Sequence, residues 1–167
     1  MPLSPAALNP PNRALGEYTA QPRDAVFDDR GFGNMKIKGG CLCGAMRYEV
    51  DGPLTDVSNC HCSMCRRFHG AAFATYAKVS TDNFRWLSGQ DLLTVYETSP
   101  GIGWAFCRVC GSSLGVPTLG KLSDLAVGTL DADPGVRPAY HMFVGSKAAW
   151  HDITDALPQY EARPPGK

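Results

Sequence analysis

Apolar and polar residues alternate over short stretches of this chain far more often than they recur at helical spacing. Met46, Tyr48 and Val50 alternate with Arg47 and Glu49, the two-residue period of a strand with one buried face. Asp51, Gly52 and Pro53 then read as a turn. Residues 73–79, 84–87 and 92–96 are short runs of β-branched and aromatic side chains, divided by breaks such as Ser88-Gly89. Residues 125–130 and 141–145 have the same texture, as does the segment that opens at Lys36. Helical spacing is confined to single turns over residues 63–70 and 153–157. The Pro117 region and Asp131 to Asp133 read as loops. The predicted fold class is therefore mainly β, with a turn about every ten residues. Phe73, Tyr76, Trp86 and Tyr96 are expected in its core.

Residues 1–34 break this pattern. They carry Pro2, Pro5, Pro10, Pro11 and Pro22, no apolar period, and the charge cluster Asp24, Asp28, Asp29 and Arg30. Such a stretch buries too little to offset its ordering entropy, so it is predicted to be an N-terminal extension to a domain over residues 35–167. Composition adds little: 44% hydrophobic and 19% charged residues describe an ordinary globular chain. Sixteen basic residues balance sixteen acidic ones, so no net field draws the protein to nucleic acid, and no nucleic-acid partner is expected. The N-terminus has no basic region leading into an apolar stretch, and no later run approaches the ~18 apolar residues of a membrane span. The expectation is a cytoplasmic protein without a membrane partner. Thiols stay reduced there, which turns attention to the seven cysteines as metal ligands or catalysts rather than disulfides.

They fall in three groups: Cys41-Leu-Cys43, Cys60-His-Cys62-Ser-Met-Cys65, and Cys107-Arg-Val-Cys110. Two thiols separated by two residues and followed by Gly111 suit a zinc knuckle, in which one turn aims both sulfurs at one ion. In an extended Cys-X-Cys pair the two side chains share a face, so both can reach one zinc at about 2.3 Å. Gly39, Gly40 and Gly44 permit a tight path around the first pair. Zinc takes four ligands in structural sites, and three plus an open position in catalytic ones. Seven cysteines divide as four and three: Cys60, Cys62 and Cys65 are local enough to form one set, which leaves Cys41, Cys43, Cys107 and Cys110. A rival pairing of Cys62 and Cys65 with Cys107 and Cys110 would span 41 intervening residues. Zinc ribbons use about 15–20, and the rival strands three cysteines.

The stretches GGCLCGAMRYEV, CHCSMCRRFHGAAF, FCRVCGSSL and HMFVGSKAAWHDITDALPQYE resemble the glutathione-dependent formaldehyde-activating enzymes, whose domain also occurs in centromere protein V. The resemblance runs from about Met35 to Glu161. It implies a β-tent of short antiparallel strands with two zinc ions. Cys41, Cys43, Cys107 and Cys110 would hold the structural ion, and Cys60, Cys62 and Cys65 the catalytic one. It also implies a carbon–sulfur lyase that joins glutathione to formaldehyde as S-hydroxymethylglutathione. Many relatives place a basic residue where this chain has Trp104 and Ala105, which implies a less charged or larger substrate.

The chemistry of the residues is compatible with this. A site of three thiolates suits a soft fourth ligand such as a substrate thiolate, so the expected partner is a low-molecular-weight thiol or its adduct. Two readings from other classes stay open: a non-catalytic interaction module, and a thiol or metal sensor whose open site exchanges zinc. His61, between two candidate ligands, is expected to support them by hydrogen bonding or to face solvent rather than to ligate. Arg66 and Arg67 are candidates for charge compensation or for binding a substrate carboxylate. His69 and His141 are candidates for acid–base chemistry, against a structural role.

Overall fold

The computed structural model describes residues 36–166. The extension expected over residues 1–34 lies outside the described residues. The first strands, β1 (Lys36–Gly40) and β2 (Arg47–Asp51), form a hairpin, and β5 (Phe84–Ser88) pairs with the other edge of β2. This is an antiparallel sheet of three strands. The remaining strands are β3 (Thr55–Cys60), β4 (Ala74–Lys78), β6 (Leu93–Ser99), β7 (Ile102–Cys107), β8 (Ser113–Thr118), β9 (Lys121–Ala126), β10 (His141–Met142) and β11 (Gln159–Tyr160). They make a second sheet in the order β11-β10-β3-β4-β9-β8-β7-β6. The helix α1 (Ser63–His69) is the one α-helix among the described residues.

The mainly β expectation holds, and its finer points need correction. The strands are not all antiparallel: β10 runs parallel to both β3 and β11. Long connections separate these pieces in sequence, and parallel pairing requires such connections where a tight hairpin cannot provide it. Residues 153–157 form no helical turn, because the Asp155 carboxylate takes the Leu157 amide at 2.9 Å and Pro158 follows. The strand read at 125–130 ends at Ala126 and gives way to a 3-10 turn at Val127–Thr129. The strand read at 141–145 ends at Met142, where Phe143 turns the chain with a left-handed φ of 57°. Pro117 lies inside β8 rather than in a loop. A register shift at Val116 and Pro117 accommodates its missing amide. Tyr96 is 63% exposed on the edge strand β6, so it is not core.

Two apolar clusters hold the domain together. The larger packs Met46, Tyr48, Val50, Phe84, Leu114, Leu122 and Leu125, with Cys41 and Cys107 at its margin. Each aliphatic side chain fully buried there contributes about 1.5–3 kcal/mol. The smaller gathers Ala74, Tyr76, Trp104 and Ala126 around Cys60 and Cys65, with Phe68 and Phe143 against it. Trp86 and Phe73 are half-buried at the edges of the packing. Glu49 departs from the expected alternation, being buried on the central strand β2. Arg85 at 2.8 Å and Lys36 at 3.4 Å cover it, and Arg85 above all holds its carboxyl below the usual range. Gly39 serves the meeting of the two sheets rather than a cysteine turn. A Cβ there would stand 2.3 Å from the Tyr48 hydroxyl, which bonds Thr129 at 2.6 Å.

Candidate metal centres

The four-cysteine set is assembled from two turns far apart in sequence. Cys41 and Cys43 follow β1, Cys107 ends β7, and Cys110 lies in the turn before β8. The turns share a design. Gly44 donates to the Cys41 carbonyl at 3.0 Å and Gly111 to the Cys107 carbonyl at 2.8 Å. Both glycines adopt a φ of 74°, which a side chain would strain. The Leu42 amide donates to Ser112 Oγ at 2.9 Å and ties one turn to the other. All four sulfurs lie within 4.8 Å of one another.

These distances fit a metal. Four ligands at about 2.3 Å in a tetrahedron stand ~3.8 Å apart. Cys41 and Cys43 sulfurs are 3.4 Å apart, and those of Cys43 and Cys107 are 4.0 Å apart. All seven cysteines are free thiols. Burial pushes the Cys107 thiol up. At Cys110 burial also opposes ionisation, yet the amides of Ser112 and Cys43 outweigh it and bring the thiol down to about 6.

The three-cysteine set is local. Cys60 ends β3, Cys62 caps the start of α1, and Cys65 sits in the first turn of that helix. The Cys62 sulfur accepts the Cys65 amide at 3.3 Å, so the cap brings both thiols to one point. The three sulfurs also lie within 4.8 Å of one another. Cys60 and Cys65 are buried and Cys62 half-buried. Three such thiols cannot all ionise without a cation. Hydrogen bonds from Cys60 and Cys65 favour a thiolate at Cys62, bringing it to about 2. The same contact with Cys62 raises Cys60 to about 11, and contact with Cys60 raises Cys65 further. Burial alone would favour three neutral thiols, whereas the convergence of the sulfurs favours a shared divalent ion. The rival grouping of Cys62 and Cys65 with Cys107 and Cys110 is not brought together.

The other candidate residues take distinct places. His61 is 0% exposed, so it does not face solvent, and its imidazole is not part of the sulfur cluster. Its Nε2 lies 2.8 Å from His141 Nδ1, and His141 Nε2 lies 3.0 Å from the Asp155 carboxylate. His69 bonds the Tyr76 hydroxyl through Nε2 at 2.7 Å, and burial lowers its pKa from the ordinary histidine value. Arg66 and Arg67 follow Cys65 on α1 without an ion pair among the described residues, and Arg66 Nε is buried without a partner. Sequence reasoning gave no role to Asp155 and His151, although both lie in the stretch HMFVGSKAAWHDITDALPQYE that carries part of the resemblance. Beside Cys110 of the four-cysteine set opens a cleft of about 490 Å³. Phe68, His69, Phe73, Leu42 and Cys110 are among its lining residues, and no Asp, Glu, Lys or Arg lines it. Cys60, Cys62 and Cys65 do not line it either.

Comparison with known proteins identifies relatives of this chain. The family profile described as "Glutathione-dependent formaldehyde-activating enzyme" matches residues 36–146. A Halomonas elongata protein named "Putative glutathione-dependent formaldehyde-activating enzyme" is 30% identical over 130 residues, covering 71% of this chain and 82% of its own. A crystal structure of a Rhodobacter sphaeroides protein shares 32% identity, with a TM-score of 0.44. It covers 60% of this chain and 91% of that one.

Proposed function

Because the chain belongs to the glutathione-dependent formaldehyde-activating enzyme family, we propose that it is a zinc-dependent carbon–sulfur lyase acting on a low-molecular-weight thiol and its aldehyde adduct. The observation that carries this reading is the convergence of Cys60, Cys62 and Cys65, a set one ligand short of the tetrahedron that the other four cysteines can complete. Zinc held by the three thiolates would supply a soft centre that keeps a further thiol ionised. In the reaction a bond forms between the thiol sulfur and the aldehyde carbon, and the aldehyde oxygen takes up a proton. The reverse reaction breaks that bond and frees the thiol.

The protein's own residues bind and shield. Cys62, half-buried beside two buried cysteines, gives the set its opening to solvent. Trp104, Tyr76 and Phe143 pack against the buried side and exclude water. Arg66 and Arg67 offer cations to a substrate carboxylate. The neighbouring cleft, lined by Phe68 and Phe73 together with Thr75, Ser112 and Thr129, suits a substrate portion of mixed polarity. Cys41, Cys43, Cys107 and Cys110 would hold a second, structural zinc.

Cobalt reports ligand changes through its visible absorption and tests the reading. With cobalt in place of zinc, millimolar glutathione or another small thiol is expected to strengthen the sulfur-to-metal charge-transfer band. Cys62→Ser is expected to show no response. No response of the intact protein to any physiological thiol overturns the lyase reading and leaves an interaction module or metal sensor.

A further inference from the structure

Both thiol sets contain the pattern Cys-X-Cys, and the middle residue differs in kind. In the four-cysteine set it is Leu42, which is 87% exposed and contributes only its amide. In the three-cysteine set it is His61, wholly buried. Its ring lies against Phe73, His141 and His151, with centroids 5.1, 5.0 and 5.9 Å away. The peptide is pinned as well. The His61 amide donates to the Met142 carbonyl at 2.9 Å, and its carbonyl accepts from Ser146 Oγ at 3.4 Å.

The chain of hydrogen bonds behind that ring runs from His61 through His141 to Asp155. Asp155 is anchored by the Leu157 amide, and its carboxylate can only accept, so His141 Nε2 carries the proton between them. In the neutral imidazole of His141 the other nitrogen, Nδ1, is the acceptor and takes the N–H of His61 Nε2. This leaves His61 Nδ1 as a bare acceptor, buried and without a partner. Such an orphan costs free energy that an apolar side chain filling the same space would avoid. Packing alone does not account for a histidine here.

We propose that Asp155 and His141 act as positioning residues through His61, locking the peptide between Cys60 and Cys62 so that both sulfurs face one ion. The inference rests on the reading that Cys60, Cys62 and Cys65 hold a metal. A four-thiolate site defines its own geometry with a full set of bonds. A three-ligand site must keep its shape with one position open, and an outside anchor supplies the missing constraint.

The test is zinc release from the zinc-loaded protein to a coloured chelator. The wild type is expected to hold two zinc ions, and His141→Ala to bind one of them about 10–100-fold more weakly, with the other unchanged. His141→Asn, which keeps an acceptor near the Nδ1 position, is expected to restore most of the loss. Nitrogen-15 NMR is expected to show His61 as the neutral Nε2–H tautomer in the wild type and to lose that signature in His141→Ala. Should His141→Ala not fold, Asp155→Ala at its half-exposed position carries the same measurement, with Asp155→Asn as the restoring variant. Two zinc ions released at wild-type rates from the alanine variant, or both loosened equally, overturn the inference alone. A wild type that binds one zinc overturns the metal reading and this inference with it.

Discussion

Cys41-Leu42-Cys43 and Cys60-His61-Cys62 are the same tripeptide pattern in two settings. The first is completed by Cys107 and Cys110, and the sulfurs of Cys43 and Cys107, 64 residues apart in sequence, lie 4.0 Å from one another. The second is completed by Cys65, three residues on and within the first turn of α1. The first set therefore closes a long loop and joins the β1–β2 turn to the β7–β8 turn. The second rests on structure that its own neighbourhood already provides. A cross-link between distant segments removes more freedom from the unfolded chain than a local one. Metal bound at the four-cysteine set should thus be coupled to folding, and metal at the three-cysteine set should depend on folding without driving it.

The largest expected effect follows from that coupling. Cys110→Ser opens the four-cysteine set, and a structural zinc contributes apparent binding energies of about 10–16 kcal/mol, as large as the net stability of a whole domain. The variant is expected to be unfolded or insoluble, as read by circular dichroism and sedimentation. A soluble variant with native ellipticity would break the comparison, because the distant set would then be no more structural than the local one.

Cys62→Ser should do much less. It removes one ligand from the local set and the sulfur that receives the Cys65 amide. The expected protein stays folded, binds one zinc by elemental analysis instead of two, and loses only a few degrees of thermal midpoint. Retention of two zinc ions, or unfolding as complete as in Cys110→Ser, would show that the two sets do not divide the work in this way.

The two regions also differ in how much of them was legible in advance. Cysteine spacing is local information, and i, i+2 and i, i+3 pairs announce their geometry without knowledge of the fold. The meeting of Cys43 with Cys107 was legible only by counting ligands, since nothing in the intervening strands announces it. The anchor behind Cys60 and Cys62 was not legible. His61 and His141 are 80 residues apart, and Asp155 lies in a tail that reads as a helical turn until its carboxylate caps the Leu157 amide. The same tail conceals the parallel pairing of β10, a strand of two residues with no alternation to detect. Tyr96 shows the opposite failure. Its β-rich run is real, but β6 lies at a sheet edge, and edge position is a property of the fold rather than of the run.

The smallest effect concerns acid sensitivity, which the comparison assigns to the local set's side of the molecule. His69, at the end of α1, gives Nε2 to the Tyr76 hydroxyl, and Tyr76 packs in the same cluster as Cys60 and Cys65. Burial lowers its pKa, so the folded protein holds His69 neutral at a pH where the unfolded chain has begun to bind a proton. The unfolded state then carries more bound protons, and stability falls as pH drops through the ordinary histidine value near 6.5. The contribution is fully present above that pH and declines below it. His69→Gln keeps a nitrogen near the Nε2 position and removes the titration. Urea unfolding of both proteins between pH 8 and pH 5.5 is the measurement, with losses common to both cancelling in the difference. The wild type is expected to lose stability relative to the variant as the pH falls. A difference that stays constant across the range would mean that His69 is not held neutral by its surroundings.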